Sequence, residues 1–264
     1  MNYVFLNRGC VLPAVGVLQL LLNRQGAHLE VDGIFGQRTE SAVRQFQRSH
    51  RLEVDGVVGE QTWPRLVGDE DLQIADCVDI TDPSLLRLEA TDLLLTGGSP
   101  FLIGGMCNGV EQAVQQITAG IRGKVFLLRF HGHGNVGAAG VGFGEGTLDS
   151  NGTKINMYGE KSDIDTYNLD EVRPYLARLR GIFGPYGNIQ FMHCKTGRGT
   201  TGLALLKNIA QIVGVPVTAA VNTQYGSGIK TFKFEGPTQT ACPPGMNLKT
   251  WCTSRRQFAC MSLA

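Results

Sequence analysis

The chain has 264 residues, 42% of them hydrophobic and 18% charged, with 24 Lys and Arg against 23 Asp and Glu. That composition excludes a disordered tail protein, which would be poor in apolar residues and far from neutral. No apolar run approaches the roughly 18 residues that span a bilayer, so no membrane span is expected; a nucleic-acid partner is not expected either. The near-neutral total hides an uneven division: residues 1–68 hold seven Arg, no Lys and six acids. Residues 69–92 hold eight acids and only Arg87, and the remainder carries 16 basic and 9 acidic residues, a net of +7. The seven cysteines are an odd number, so at least one thiol is left over whatever disulfides form. The opening Met-Asn-Tyr-Val-Phe-Leu-Asn-Arg lacks the basic and apolar regions of a secretion signal. Action at the cell wall or periplasm, or delivery into a target cell, would then need another route.

In chain order, Val15, Leu18, Leu21 and Leu22 have helical spacing. Two matching segments follow, Val31-Asp32-Gly33-Ile34-Phe35-Gly36 with Thr39, and Val54-Asp55-Gly56-Val57-Val58-Gly59 with Thr62. Each reads as an Asp-Gly turn, a second glycine, then Thr as a helix N-cap. Ala42-Val43 and Phe46 supply the apolar stripe of the helix between them. A small all-α module of three short helices over residues 1–68 is the expectation. Val17-Leu18-Gln19, Asp32-Gly33-x-Phe35-Gly36, Ala42-Val43-x-x-Phe46-Gln47 and Asp55-Gly56-x-Val58-Gly59-x-x-Thr62-Trp63 together resemble the type 1 family of peptidoglycan-binding domains, over residues 9–67. The resemblance implies peptidoglycan as partner, with Asp32, Gly33, Phe35, Gln47, Asp55 and Trp63 as candidate binding positions. Most of these are also core and turn positions.

Residues 69–91 read as an acidic linker broken by Pro83, or as a docking strip that could mask the basic second half. From residue 92 to 264 apolar runs alternate with amphipathic stretches. Val110–Ile117 reads as a helix, Val125–Phe130 as a strand, Asn168–Leu179 as a capped helix weakened by Pro174, Ile189–Met192 as a strand, Leu203–Val213 as a helix and Val215–Val221 as a strand. Strands alternating with helices predict an α/β domain with a mainly parallel sheet.

In such a sheet ligands sit beyond the carboxyl ends of the strands. Phe130 is followed by His131-Gly132-His133-Gly134, and Met192 by His193-Cys194. Adjacent strand ends would bring an imidazole to a thiol, which is what a thiolate nucleophile needs. The glycines are expected to keep bulk away from the histidine and admit a substrate backbone. Leu127-Leu128-Arg129-Phe130-His131-Gly132-His133-Gly134 and Ile189-Gln190-Phe191-Met192-His193-Cys194 resemble the caspase-like, clan CD cysteine peptidases, in which one apolar strand ends in His-Gly and a later one in the nucleophilic Cys. The resemblance implies a caspase-like sheet, Cys194 as nucleophile, His133 as base with His131 as its alternative, and the amides of Gly134 and Cys194 as oxyanion donors. The implied substrate is a protein or a wall peptide, with a polyanionic activator as a further partner of the basic half.

Other readings use the same residues. His193-Cys194-Lys195-Thr196-Gly197-Arg198-Gly199-Thr200 is similar to the phosphate loop of dual-specificity phosphatases, but Thr200 stands where the clamping arginine belongs. His131, His133 and His193 could bind zinc, as in wall amidases; no metal is expected, because the wider ligand set is missing. Gly197-x-Gly199-x-x-Gly202 fits a dinucleotide fingerprint, yet Asn222 stands where an acid should follow the next strand, so no cofactor is expected. A non-catalytic wall-binding effector or structural protein is the reading from a different class. Besides Cys194 there are Cys10, Cys77, Cys107, Cys242, Cys252 and Cys260. Either all stay reduced or up to three disulfides form, with Cys242–Cys252 across the Pro243-Pro244-Gly245 turn the best local pair.

Overall fold

The computed structural model describes residues 3–68, 72–104, 108–142, 147–148, 154–155 and 161–254. The first helix, α1 (Pro13–Arg24), carries proline in its first turn, where the missing N–H costs nothing. It buries Val15, Leu18, Leu21 and Leu22, as their spacing requires. Helices α2 (Gln37–Ser49) and α3 (Trp63–Val67) complete the module. Gly33 and Gly56 have φ of 77° and 74°, a conformation that costs a side chain with Cβ, so both Asp-Gly turns need their glycine.

The two threonines do not cap helices with their side chains. Gly36 is the N-cap of α2, and Thr39 lies inside the helix. Instead each hydroxyl joins a polar staple that occurs twice. Gln19 Nε2 donates to Asp32 Oδ1 (2.8 Å), the Ile34 carbonyl (3.1 Å) and Thr39 Oγ1 (3.3 Å), and Gln19 Oε1 accepts from the N–H groups of Asp32 and Gly33. Gln47 does the same 28 positions on, with Asp55 Oδ1 (2.8 Å), the Val57 carbonyl (2.9 Å), Thr62 Oγ1 (3.2 Å) and the Gly56 N–H (2.9 Å). A loop turning over a helix must satisfy its inward-facing amides, and one buried glutamine per turn does so.

The second region is a six-stranded sheet of β1 (Gln73–Asp79), β2 (Phe101–Ile103), β3 (Val125–His131), β4 (Phe183–Phe191), β5 (Val217–Ala220) and β6 (Thr238–Ala241). The spatial order is β6-β5-β4-β3-β1-β2, parallel throughout except for antiparallel β6. The sequence pattern located β3 closely and only the end of β4. One face packs against α5 (Gly109–Gly120), α6 (Leu169–Ala177) and α7 (Gly199–Val213), with Leu128, Phe130, Ile189 and Phe191 pointing into that core.

The other face is covered by the N-terminal module itself. Phe126, Leu127 and Tyr186 belong to the same buried cluster as Val15, Leu18 and Leu22 of α1. The short C-terminal helix α8 (Leu248–Ser254) returns to this seam and buries Trp251 and Cys252. A substituent on Gly16 would strike Cys252 Sγ, which shows how closely α1 and α8 approach. The module is therefore one layer of the sandwich.

The expected acidic linker over 69–91 is corrected on the same grounds. Within it lies β1, a strand flanked by β3 and β2, with Asp76 and Asp79 buried. After it comes a helical stretch, α4, made of Pro83–Leu85, a π-helical turn Leu86–Ala90 and Thr91–Leu95. Asp82 caps it by accepting from the Ser84 N–H (2.7 Å). Of the described acids in this stretch, Asp76, Asp79 and Glu89 are buried in the α/β domain and Asp92 accepts from the Gly228 N–H. Cys242 and Cys252 are free thiols, so the expected local disulfide is absent; Cys107 and Cys260 lie outside the described residues.

Candidate functional site

Strands β3 and β4 are neighbours in parallel, with Phe130 opposite Phe191. The segments that leave them therefore emerge side by side. After His133 the chain makes a tight hairpin of Gly134–Asn135 and Ala138–Gly140. That hairpin is bolted to the turn after Cys194: Thr196 Oγ1 donates to the Ala138 carbonyl (2.7 Å), and the Gly137 N–H donates to the Thr196 carbonyl (3.2 Å). Lys195 adopts φ of 57°, the left-handed turn that swings the backbone from Cys194 toward α7. Cys194 itself is half-buried, held by the Gln224 N–H donating to Sγ and the thiol donating to the Gln224 carbonyl, each at 3.3 Å.

The three histidines take three different roles. His131 is fully buried, with Nδ1 2.8 Å from Glu89 Oε2 and Nε2 3.0 Å from Asp76 Oδ1. Burial alone would lower its pKa, but the two carboxylates outweigh burial and raise it. Both ring nitrogens face carboxylate oxygens in the core, so neither is open to a substrate proton. Asp76 also receives Arg129, at 2.6 Å to Nε and 3.1 Å to Nη2. Burial pushes the Asp76 carboxyl up, yet Arg129 and His131 hold it well below the usual range.

His193 is equally buried and donates Nε2–H to the Gly140 carbonyl at 2.7 Å. Burial pushes its pKa down to about 4, so it is neutral at pH 7. Gly132 exists for this ring: a Cβ there would lie 2.8 Å from His193 Nε2 and 2.6 Å from the Gly140 oxygen. The glycine was expected to admit a substrate backbone; it admits the His193 ring instead.

Only His133 is solvent-accessible, and its Nε2 lies 2.6 Å from Asp82 Oδ2. The hydrogen bond from His133 holds the Asp82 carboxyl down at about 2, so the carboxylate is ionised and accepts the Nε2 proton. This fixes the tautomer and leaves Nδ1 as the atom free to take a proton. Asp82 escaped the sequence reading because it sat in the supposed linker. The clue available was the apolar run Ile74-Ala75, Cys77-Val78 and Ile80 just before it, broken only by Asp76 and Asp79, which marks a strand whose end would reach the site.

Neither of the two amides expected as oxyanion donors is spent on a ladder hydrogen bond. Gly140 N–H donates to the His133 carbonyl (2.9 Å), so in the antiparallel alternation Gly134 opposite Ala139 is a non-hydrogen-bonded pair, and its N–H faces out of the hairpin. Among the described residues the Cys194 N–H makes no hydrogen bond. Arg198 spends part of its guanidinium within the chain: it donates from Nε to the Val221 carbonyl (2.9 Å) and from Nη2 to Asn222 Oδ1 (3.4 Å).

The candidate wall-binding residues are placed differently. Phe35 and Trp63 are almost wholly buried, and Trp63 Nε1 donates to the Val4 carbonyl at 2.6 Å. Asp32, Gly33, Gln47 and Asp55 spend their polar groups in the two staples. These residues build the module. Surface groups beside the second staple, Glu53, Glu60 and Gln61, line a small depression of about 130 Å³ together with Asp55 and Thr62.

Comparison with known proteins agrees with the N-terminal reading. Residues 12–66 match the family model of a peptidoglycan binding domain, so peptidoglycan binding is supported for this region. Among solved structures, the chain is similar to a peptidoglycan-binding protein from Clostridioides difficile crystallised with glutamine hydroxamate. The identity is 32%, over 24% of this chain and 39% of that chain, with a TM-score of 0.23. The chain thus spans well under half of that protein. Comparison with curated proteins gives no match. Among the described residues no helix is long and apolar enough to cross a membrane.

Proposed function

We propose that the chain is a wall-targeted cysteine hydrolase of caspase-like type, acting on a protein or on a peptidoglycan peptide. The observation that carries this reading is the pairing of two strand ends: Cys194 after β4 and, on the neighbouring parallel strand, His133 with its Nε2 tied to Asp82. In the reaction His133 Nδ1 takes the thiol proton and Cys194 Sγ bonds to the amide carbonyl carbon. The oxyanion is met by the N–H groups of Cys194 and Gly134. As the C–N bond breaks, the leaving amine takes the proton back from His133, and water then hydrolyses the thioester with His133 again as base. Asp82 is a positioning residue, holding the ring in one tautomer and stabilising the imidazolium. The N-terminal layer would bring this site to the wall.

The test is product analysis by mass spectrometry on purified sacculi and on unfolded protein substrates, with wild type and Cys194→Ala. New cleavage products from wild type only, with Cys194 the thiol alkylated first by iodoacetamide, support the reading. Turnover that is unchanged in Cys194→Ala overturns cysteine catalysis. Sacculus binding without turnover by the wild type supports the non-catalytic wall-binding reading instead.

A further inference from the structure

A second site lies where the N-terminal layer meets the sheet. On the face of the sheet toward the module, one polar row crosses four strands in register: Thr218 opposite Gln190, Gln190 opposite Arg129, and Arg129 opposite Asp76. All four are buried. Asp76 takes Nε and Nη2 of Arg129, and Thr218 pairs with Thr240 at 2.9 Å. Two donors in the middle of the row stay unsatisfied: Arg129 Nη1 and Gln190 Nε2. Leaving a buried N–H unpaired is costly, and more so when the group is charged.

Gln190 forms part of the wall of a half-open cleft of about 750 Å³ between the N-terminal segment and the stretch from Ile229 to Thr238. That volume falls in the range of small-ligand sites. Phe5, Phe232 and Phe234 give it an apolar side, and the Phe232 ring lies 5.4 Å from Arg129 Cζ. Three cations line it, and two are answered: Lys230 by Glu235 at 3.2 Å and Arg8 by Glu40 at 3.6 Å. Lys233, half-buried, has no carboxylate partner among the described residues.

We infer that this cleft binds a small carboxylate-bearing ligand, of the size of a short peptide with a free C-terminus. The carboxylate accepts from Gln190 and pairs with Lys233, while the apolar remainder packs on the phenylalanines. The site is separate from Cys194 and does not depend on the hydrolase reading. Gln190 lies on β4, four residues before the cysteine that follows this strand.

The experiment is calorimetric titration of the full chain with N-acetyl-Ala-Ala as free acid and as C-terminal amide. It is repeated on Gln190→Leu and Lys233→Met, with thermal melts to show that each variant folds. The acid should bind at least about tenfold more tightly than the amide, the margin of a charged hydrogen bond. Lys233→Met, at the half-buried edge, should remove most of that margin even if Gln190→Leu fails to fold. Equal binding of acid and amide, no heat from either at millimolar concentration, or an unchanged acid preference in Lys233→Met would each overturn the inference.

Discussion

Deleting the N-terminal 68 residues should abolish folding of the α/β region. Phe126, Leu127 and Tyr186 of the sheet and Trp251 of α8 are 5%, 0%, 3% and 0% exposed, and the module supplies much of their cover. Each such side chain contributes about 1.5–3 kcal/mol when buried, so uncovering four forfeits about 6–12 kcal/mol. A domain's whole stability is about 5–15 kcal/mol. The remnant would then be unfolded or aggregated. A milder perturbation reaches the same seam: Gly16→Val puts a branched side chain where Cys252 Sγ sits, an overpacking worth about 1–3 kcal/mol. The assay is urea unfolding followed by circular dichroism and by fluorescence of Trp251 in a Trp63→Phe background, which leaves Trp251 as the single tryptophan. Coincident transitions, shifted to lower urea in Gly16→Val, are expected. If residues 69–264 purify as a soluble monomer with a cooperative melt, or if the module unfolds separately from the sheet, the layer argument is wrong.

Three further outcomes follow from the same geometry. Gln47→Leu removes the second staple and strands the buried Gly56 N–H, so stability should fall by about 1–3 kcal/mol in a urea titration; a loss below about 0.5 kcal/mol would show that the turn holds itself. Burial depresses the folded pKa of His193 to about 4 from 6.5, so its contribution is fully present above pH 6.5. It drains away as pH falls toward 4, by about 3 kcal/mol in all, because the unfolded chain binds the proton first; His193→Phe should flatten that part of the stability-against-pH curve, and an equally steep curve would refute it. If the chain is a cysteine hydrolase, Asp82→Asn should lower kcat about tenfold or more with KM unchanged and should alter the pH profile, as expected when a tautomer is no longer fixed. An unaltered profile would remove Asp82 from the mechanism.

Local patterns were enough to place much of the chain. The Asp-Gly repeats fixed two turns because only glycine takes φ near 75° cheaply there, and the apolar run Val125–Phe130 marked a strand buried on both faces. The reactive segments were visible as His-Gly and Cys at strand ends. Burial and partnership were not visible. Asp76 and Glu89 read as solvated acids, since nothing local says that Arg129 and His131, more than forty residues away, will neutralise them in the core.

The sequence by itself determined the helical module, the alternation that demands a parallel sheet, and the two short segments that carry an imidazole and a thiol. Those are properties of period and turn chemistry, written within a few residues. Only the tertiary structure decided which of the three histidines is left exposed to solvent. His131 is locked between carboxylates, His193 is spent on Gly140, and His133 remains with Asp82 behind it. It also turned the supposed linker into a strand and the tethered module into a layer. Hydrogen bonds and burial across tens to hundreds of residues settle such questions, because a side chain's charge and exposure belong to its surroundings.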